Sequence, residues 1–117
     1  MIIRIKNLRL RTIIGIYDWE RTELQDVIIN AEIEFDGAKA AGSDNIQDTI
    51  DYKIINKKII EMVESSKLFL VEKLADTVLK IIMEDKKVKS AKVEIDKPGA
   101  LRFTDSVSVT VIASQTK

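Results

Sequence analysis

The chain has 117 residues, 45% of them apolar and 32% charged, with Gly at 4 and Pro at 1; one compact domain with a packed core, 1–117, is the expectation, with no room for a second domain and a composition that argues against low-complexity disorder. Cys and His are both 0, which excludes disulfides, thiolate nucleophiles, imidazole bases and every zinc site built from those ligands, so any chemistry falls to carboxylates, lysines, hydroxyls or backbone. Lys plus Arg (19) cancels Asp plus Glu (19), which argues against chain-wide attraction to nucleic acid or an acidic membrane and permits self-association.

Residues 2 to 16 read as a β-segment in which Ile3 and Ile5 alternate with Arg4 and Lys6, and Leu8, Leu10 and Thr12 with Arg9 and Arg11. The apolar parity flips near Asn7, and a bulge is the expected cause, because one extra residue re-aims every later side chain. Cations interrupt this stretch where a signal peptide needs an unbroken apolar run, and no run approaches the ~20 residues of a membrane span; the cytoplasm is the expected location. A polar stretch, Asp18 to Asp26, precedes a long strand with Val27, Ile29, Ala31, Ile33 and Phe35 at every second position.

The polar connection AKAAGSDNIQDT follows, in which Asp48 or Thr49 is positioned to cap a helix starting near Tyr52. Tyr52, Ile55, Ile59, Met62 and Val63 recur at helical spacing, and a second stripe runs through Val71, Leu74, Ala75, Val78, Ile81 and Ile82. Two more strands alternate through Ala91, Val93 and Ile95, and through Val107, Val109, Val111 and Ala113, with a turn around Pro98 and Gly99 between them. The order β-β-α-α-β-β predicts an α+β fold: a four-stranded antiparallel sheet with two helices on one face. Two open edges and a serine- and threonine-bearing face suit a closed ring of subunits with a wet interior.

The segments DTIDY (48 to 52), LVEKLAD (70 to 76) and VEIDKPGA (93 to 100), in that order, resemble the dihydroneopterin aldolase family over essentially the whole chain. RIKNLRLRTIIGI (4 to 16) and EIDKPGALRFTDSVSVT (94 to 110) are more similar to its dihydroneopterin triphosphate 2'-epimerase branch than to its aldolase branch. Aldolases usually continue Lys-Pro-Gly-Ala with Pro, where Leu101 stands here, and commonly carry a Tyr-His-Gly triplet where this chain has Ile13, Ile14 and Gly15. The resemblance implies the tunnelling fold (T-fold). Four subunits of that fold close a sixteen-stranded barrel and two rings stack into an octamer, with sites between subunits and a pterin as substrate.

Each candidate site residue has an ordinary explanation beside the functional one. Glu72 in a first helical turn complements the helix dipole; by resemblance, its carboxylate accepts from the N3 proton and 2-amino group of a pterin, with the Val71 backbone beside it. Lys97 at a strand end is ordinarily a solvated charge. A lysine among apolar groups or beside another cation exchanges protons near neutrality, and resemblance to the family's Lys-Pro-Gly-Ala motif implies that Lys97 is the general acid/base. Tyr52 fits a helical apolar stripe, and by resemblance enters a neighbouring subunit's site as a proton relay. Glu20, otherwise a loop carboxylate, matches a family glutamate that meets substrate near the lysine. Arg9, Arg11 and Arg102 are the cations offered for phosphate, which arginine binds bidentately.

In 7,8-dihydroneopterin the ring C6=N5 bond is conjugated to the side chain and accepts the electrons of a breaking C1'–C2' bond. A retro-aldol step then needs an acid and a base but neither metal, Schiff base nor other cofactor. Release of the aldehyde gives 6-hydroxymethyl-7,8-dihydropterin and glycolaldehyde, as in folate biosynthesis; re-addition through its other face inverts C2' and gives the monapterin series. The epimerase is the preferred reading and the aldolase the alternative. A catalytically silent scaffold ring is the third.

Overall fold

In the computed structural model, which describes residues 1–115, β1 (Ile2–Ile14) pairs antiparallel with β2 (Gln25–Phe35). The parity flip is a bulge: Ile5 pairs with Ala31 and pairing resumes at Leu8 with Ile29, so Lys6 and Asn7 together oppose Asn30. Asn7 has φ 52, a left-handed conformation that asparagine tolerates. Its N–H donates to Asn30 Oδ1 at 2.8 Å, and Asn30 Nδ2 donates back to Asn7 Oδ1 at 3.2 Å. Beyond the bulge Leu10, Thr12 and Ile14 face the core, while Arg9 and Arg11 join Arg4 on the opposite face.

β2 is the central strand, with Val27, Ile29, Ala31, Ile33 and Phe35 all buried. β4 (Val88–Pro98) lies along its other side and β5 (Ser106–Ser114) beyond that, both antiparallel. The four-stranded sheet expected from sequence has a fifth member. β3 (Lys67–Leu68) runs parallel to the end of β1 at Ile13 and Ile14, giving the order β3-β1-β2-β4-β5. Two residues are too few to display an alternation, so this strand leaves no pattern in the sequence.

The connection after β2 also holds more structure than its polarity suggested: a short helix, α1 (Ala38–Ser43), and a 3-10 turn, Ile46–Asp48. The next helix, α2 (Tyr52–Ser65), begins where expected but is capped by neither Asp48 nor Thr49. Asp51 is the cap, its Oδ1 accepting from the N–H groups of Lys53 and Ile54 at 3.1 and 3.3 Å. Asp48 is occupied by the Ser43 hydroxyl at 2.6 Å and Lys39 at 3.3 Å.

α2 and α3 (Val71–Met83) cover one face of the sheet. Ile55, Ile59 and Val63 from α2 join Leu74, Ala75, Val78, Leu79 and Ile82 from α3 in one core with β2 and β4, each large side chain contributing about 1.5–3 kcal/mol by leaving water. The other face is polar, with Ser90, Ser106 and Ser108 donating to Glu34, Asp96 and Glu94. No helix among the described residues is long and apolar enough to cross a membrane.

Candidate active site

β1 ends at Ile14, and Gly15 turns the chain with φ 127 into a 3-10 turn, Asp18–Arg21. That turn points Glu20 inward, leaving it 4% exposed. Its Oε1 accepts from the Tyr17 N–H at 3.2 Å, and its Oε2 accepts from Gln25 Nε2 at 3.1 Å and from Lys97 Nζ at 2.6 Å. Glycine is required at 15 twice over: L-residues rarely adopt this φ, and a Cβ would overlap the Glu20 carboxylate.

Lys97 is the last residue but one of β4 and shares the helix-side face with Ile95 and Val93, so the strand's alternation aims it at Glu20. Their side chains are 13% and 6% exposed, respectively. A charge pair this dry persists only if its other polar atoms are satisfied. Gln25 contributes by bridging the Ile14 carbonyl, at 2.6 Å, to Glu20. Burial by itself pushes the Glu20 carboxyl up; the bonds from Lys97, Gln25 and the Tyr17 N–H, with the lysine's charge, outweigh it and hold the pKa down to about 2. Glu20 is therefore an anion at neutral pH. The expectation for Lys97 was apolar surroundings or a second cation, whereas its partner is a carboxylate.

Val71 and Glu72 lie on a second arm. The Thr12 hydroxyl, fully buried, donates to the Val63 carbonyl at 2.7 Å and fixes the end of α2 against β1. The chain then passes through β3, where the Gly15 N–H donates to the Leu68 carbonyl at 3.3 Å, and enters α3 at Val71. Leu70, in the N-cap position, offers no side-chain cap. Glu72 sits exposed in that first turn. Arg21 joins the two arms: its guanidinium donates to the carbonyls of Gly15 at 2.8 Å, Leu68 at 3.0 Å and Lys67 at 2.5 Å, and lies 4.1 Å from the centroid of the Phe69 ring.

The remaining sequence candidates lie elsewhere on this chain. Tyr52 opens α2 and is 53% exposed beside a cavity of about 400 Å³ lined by Ile5, Asn7, Leu8, Arg9 and Asn56. From there to Gly15 is roughly 20 Å of strand. Arg9 and Arg11 share Asp26, at 3.7 and 3.4 Å, on the sheet face opposite Lys97. Arg102 is exposed in the turn after β4, 5.6 Å from the Phe103 ring. The structure thus brings Glu20 and Lys97 into contact and ties Val71 and Glu72 to their neighbourhood.

Two residues of the site were missed. Gln25 continues the inward parity of Val27 and Ile29, so extending the strand by two residues would have found a polar group aimed at the core. Arg21 carries no comparable signal, because its partners are backbone carbonyls, two of them on a distant segment.

Residues 3–112 match the family model described as dihydroneopterin aldolase. The dihydroneopterin triphosphate 2'-epimerase of Escherichia coli (strain K12) is 49% identical over 110 residues, covering 94% of this chain and 92% of the relative. The dihydroneopterin aldolase of the same organism is 32% identical over 110 residues, covering 94% and 90%. Among solved structures, Escherichia coli dihydroneopterin aldolase in complex with neopterin aligns with a TM-score of 0.92 at 31% identity, covering 97% of this chain and 99% of that one. By sequence and by fold, the chain belongs to the dihydroneopterin aldolase family and stands nearer its epimerase relatives than its aldolase relatives.

Proposed function

We propose that this chain inverts C2' of 7,8-dihydroneopterin triphosphate by a retro-aldol step followed by re-addition, and that release of glycolaldehyde from dihydroneopterin is its slower side reaction. The observation that carries the reading is the Glu20–Lys97 pair, nearly dry and cradled at Gly15. The arm bearing Glu72 at a helix N-terminus is tied beside it. The Glu72 carboxylate accepts from the N3 proton and 2-amino group of the pterin, with the Val71 backbone alongside. Lys97, held by Glu20, faces the N5 side of the ring and supplies the proton as electrons arrive through C6=N5.

The 2'-hydroxyl needs a base, and Tyr52 is the phenol available for it. On one chain it is out of reach, so Tyr52 of a neighbouring copy completes the site. Such a neighbour fits the free edges left by β5 and by most of β1, which suit closure into a tetrameric barrel and stacking into an octamer. For the triphosphate, Arg102 is nearest Lys97 along the chain; Arg9 and Arg11 point the other way and meet phosphate only across a subunit junction. A triphosphate does not cross membranes unaided, so the enzyme belongs in the cytoplasm with its substrate.

The greater identity to the epimerase than to the aldolase supports inversion over cleavage. Purified protein incubated separately with dihydroneopterin triphosphate and dihydroneopterin, with the pterins resolved chromatographically, tests this. The expected result is the monapterin epimer from the first and slow release of 6-hydroxymethyl-7,8-dihydropterin from the second. Fast cleavage of dihydroneopterin without inversion of the triphosphate would assign it to the aldolases instead.

A further inference from the structure

Glu20 and Arg21 are adjacent in one 3-10 turn yet serve opposite sides of it. Glu20 faces Lys97, while the Arg21 guanidinium satisfies three carbonyls, one on the Gly15 turn and two on β3, and stacks on Phe69. Apart from Arg21, the strand Lys67–Leu68 is held by its short pairing with Ile13 and Ile14, by the Gly15 N–H, by Leu68 against the core and by the Thr12 hydroxyl at Ser66 just before it. Val71 and Glu72 follow β3 after Phe69 and Leu70, so the position of β3 sets where the pterin edge is gripped relative to Lys97.

We infer that Arg21 is a positioning residue, a clamp that registers the arm carrying Glu72 against the Glu20–Lys97 pair; this rests on the function proposed above. A guanidinium suits the task because its planar donors meet several carbonyls at once, which a lysine ammonium on its flexible stem does less rigidly. The clamp makes a specific kinetic demand. Glu72 recognises the pterin within its own arm, so loosening the clamp should leave binding nearly intact. It should also let the C1'–C2' bond drift relative to Lys97, and misplacement by about 1 Å lowers turnover on the order of a hundredfold.

The test compares wild type with Arg21→Ala and Arg21→Lys by turnover of dihydroneopterin triphosphate, affinity for neopterin and hydrogen exchange at the Gly15 amide. For Arg21→Ala the expected result is a kcat lower by about 10- to 100-fold, neopterin affinity changed by less than about threefold, faster Gly15 exchange, and partial recovery of turnover with millimolar methylguanidinium. Arg21→Lys should fall between. A folded Arg21→Ala protein with wild-type kcat, or one that methylguanidinium does not rescue, overturns the inference. If Arg21→Ala does not fold, Phe69→Leu, which removes only the stacking face, must lower kcat without weakening neopterin binding, and failure to do so counts equally against the clamp. Wild-type protein that neither binds neopterin nor turns over either substrate refutes the proposed function; Gly15 exchange unchanged by Arg21→Ala refutes the clamp independently of activity.

Discussion

Acidification should remove a measurable share of this protein's stability through Glu20. Its carboxyl is lowered from 4.5 to about 2 in the folded chain. At about 1.4 kcal/mol per unit the difference corresponds to a maximum of about 3 kcal/mol. Because the folded pKa is the lower one, the contribution is complete well above 4.5 and is lost as pH falls through 2. Linkage gives about 2 kcal/mol lost by pH 3 and about 3 kcal/mol by pH 2. The assay is urea unfolding of wild type and Glu20→Gln at one protein concentration from pH 7 to pH 2. Taking the difference between them removes the other titrating groups. It should be flat above about pH 6 and then narrow by those amounts. A difference that stays constant down to pH 3 would mean that Lys97, Gln25 and the Tyr17 N–H do not hold the carboxylate as the geometry requires.

Gly15→Ala combines an unfavourable φ with a Cβ on the Glu20 carboxylate; thermal unfolding should show a loss of about 2–4 kcal/mol, and turnover should fall because Glu20 must move off Lys97. Asp51→Ala removes the cap of α2 and should cost about 1 kcal/mol, read as a Tm lower by about 3–5 °C, with far-UV circular dichroism unchanged. Lys97→Ala and Tyr52→Phe should each lower turnover by at least about a hundredfold. Tyr52→Phe, at an exposed position, should leave stability within about 0.5 kcal/mol. Unfolded together and refolded as a mixture, these two variants should regain activity in about one site in four if, as proposed, each site takes Lys97 from one copy and Tyr52 from another; a mixture as inactive as its parts would refute the shared site.

Where burial follows a repeating period, the sequence was readable. β2 announces itself through five alternating apolar residues, all of them buried, and the bulge was visible as a change of parity with an asparagine at the break. Lys97 and Glu20 were legible only through resemblance, because nothing in local pattern says that a loop carboxylate 77 positions away will meet a lysine at a strand end. β3 and α1 were not legible. The first is held by pairing to β1 and by Arg21, and the second is six residues long without a buried side chain, so neither owes its shape to an apolar period. Tyr52 misled in the opposite direction: its spacing fits the stripe of Ile55 and Ile59, yet it opens the helix, where the first turn overhangs the core edge and leaves the ring exposed.

Two backbone irregularities, one within β1 and one directly after it, place the Glu20–Lys97 pair and the arm beside it. The Asn7 bulge decides the face that every later residue of β1 presents. Removing that residue would shift the strand's alternation by one, turning Arg9 and Arg11 toward the helices and Leu10, Thr12 and Ile14 away from them. Thr12 would then lose the Val63 carbonyl that anchors the end of α2, and with it the lead into β3 and Glu72. Gly15 acts seven residues after Leu8, converting the strand's direction into a turn tight enough to seat Glu20 against Lys97. The bulge sets orientation and the glycine sets proximity, and neither can substitute for the other. A strand regular from end to end would carry Arg9 and Arg11 into the core and could not deliver an acid to the end of β4.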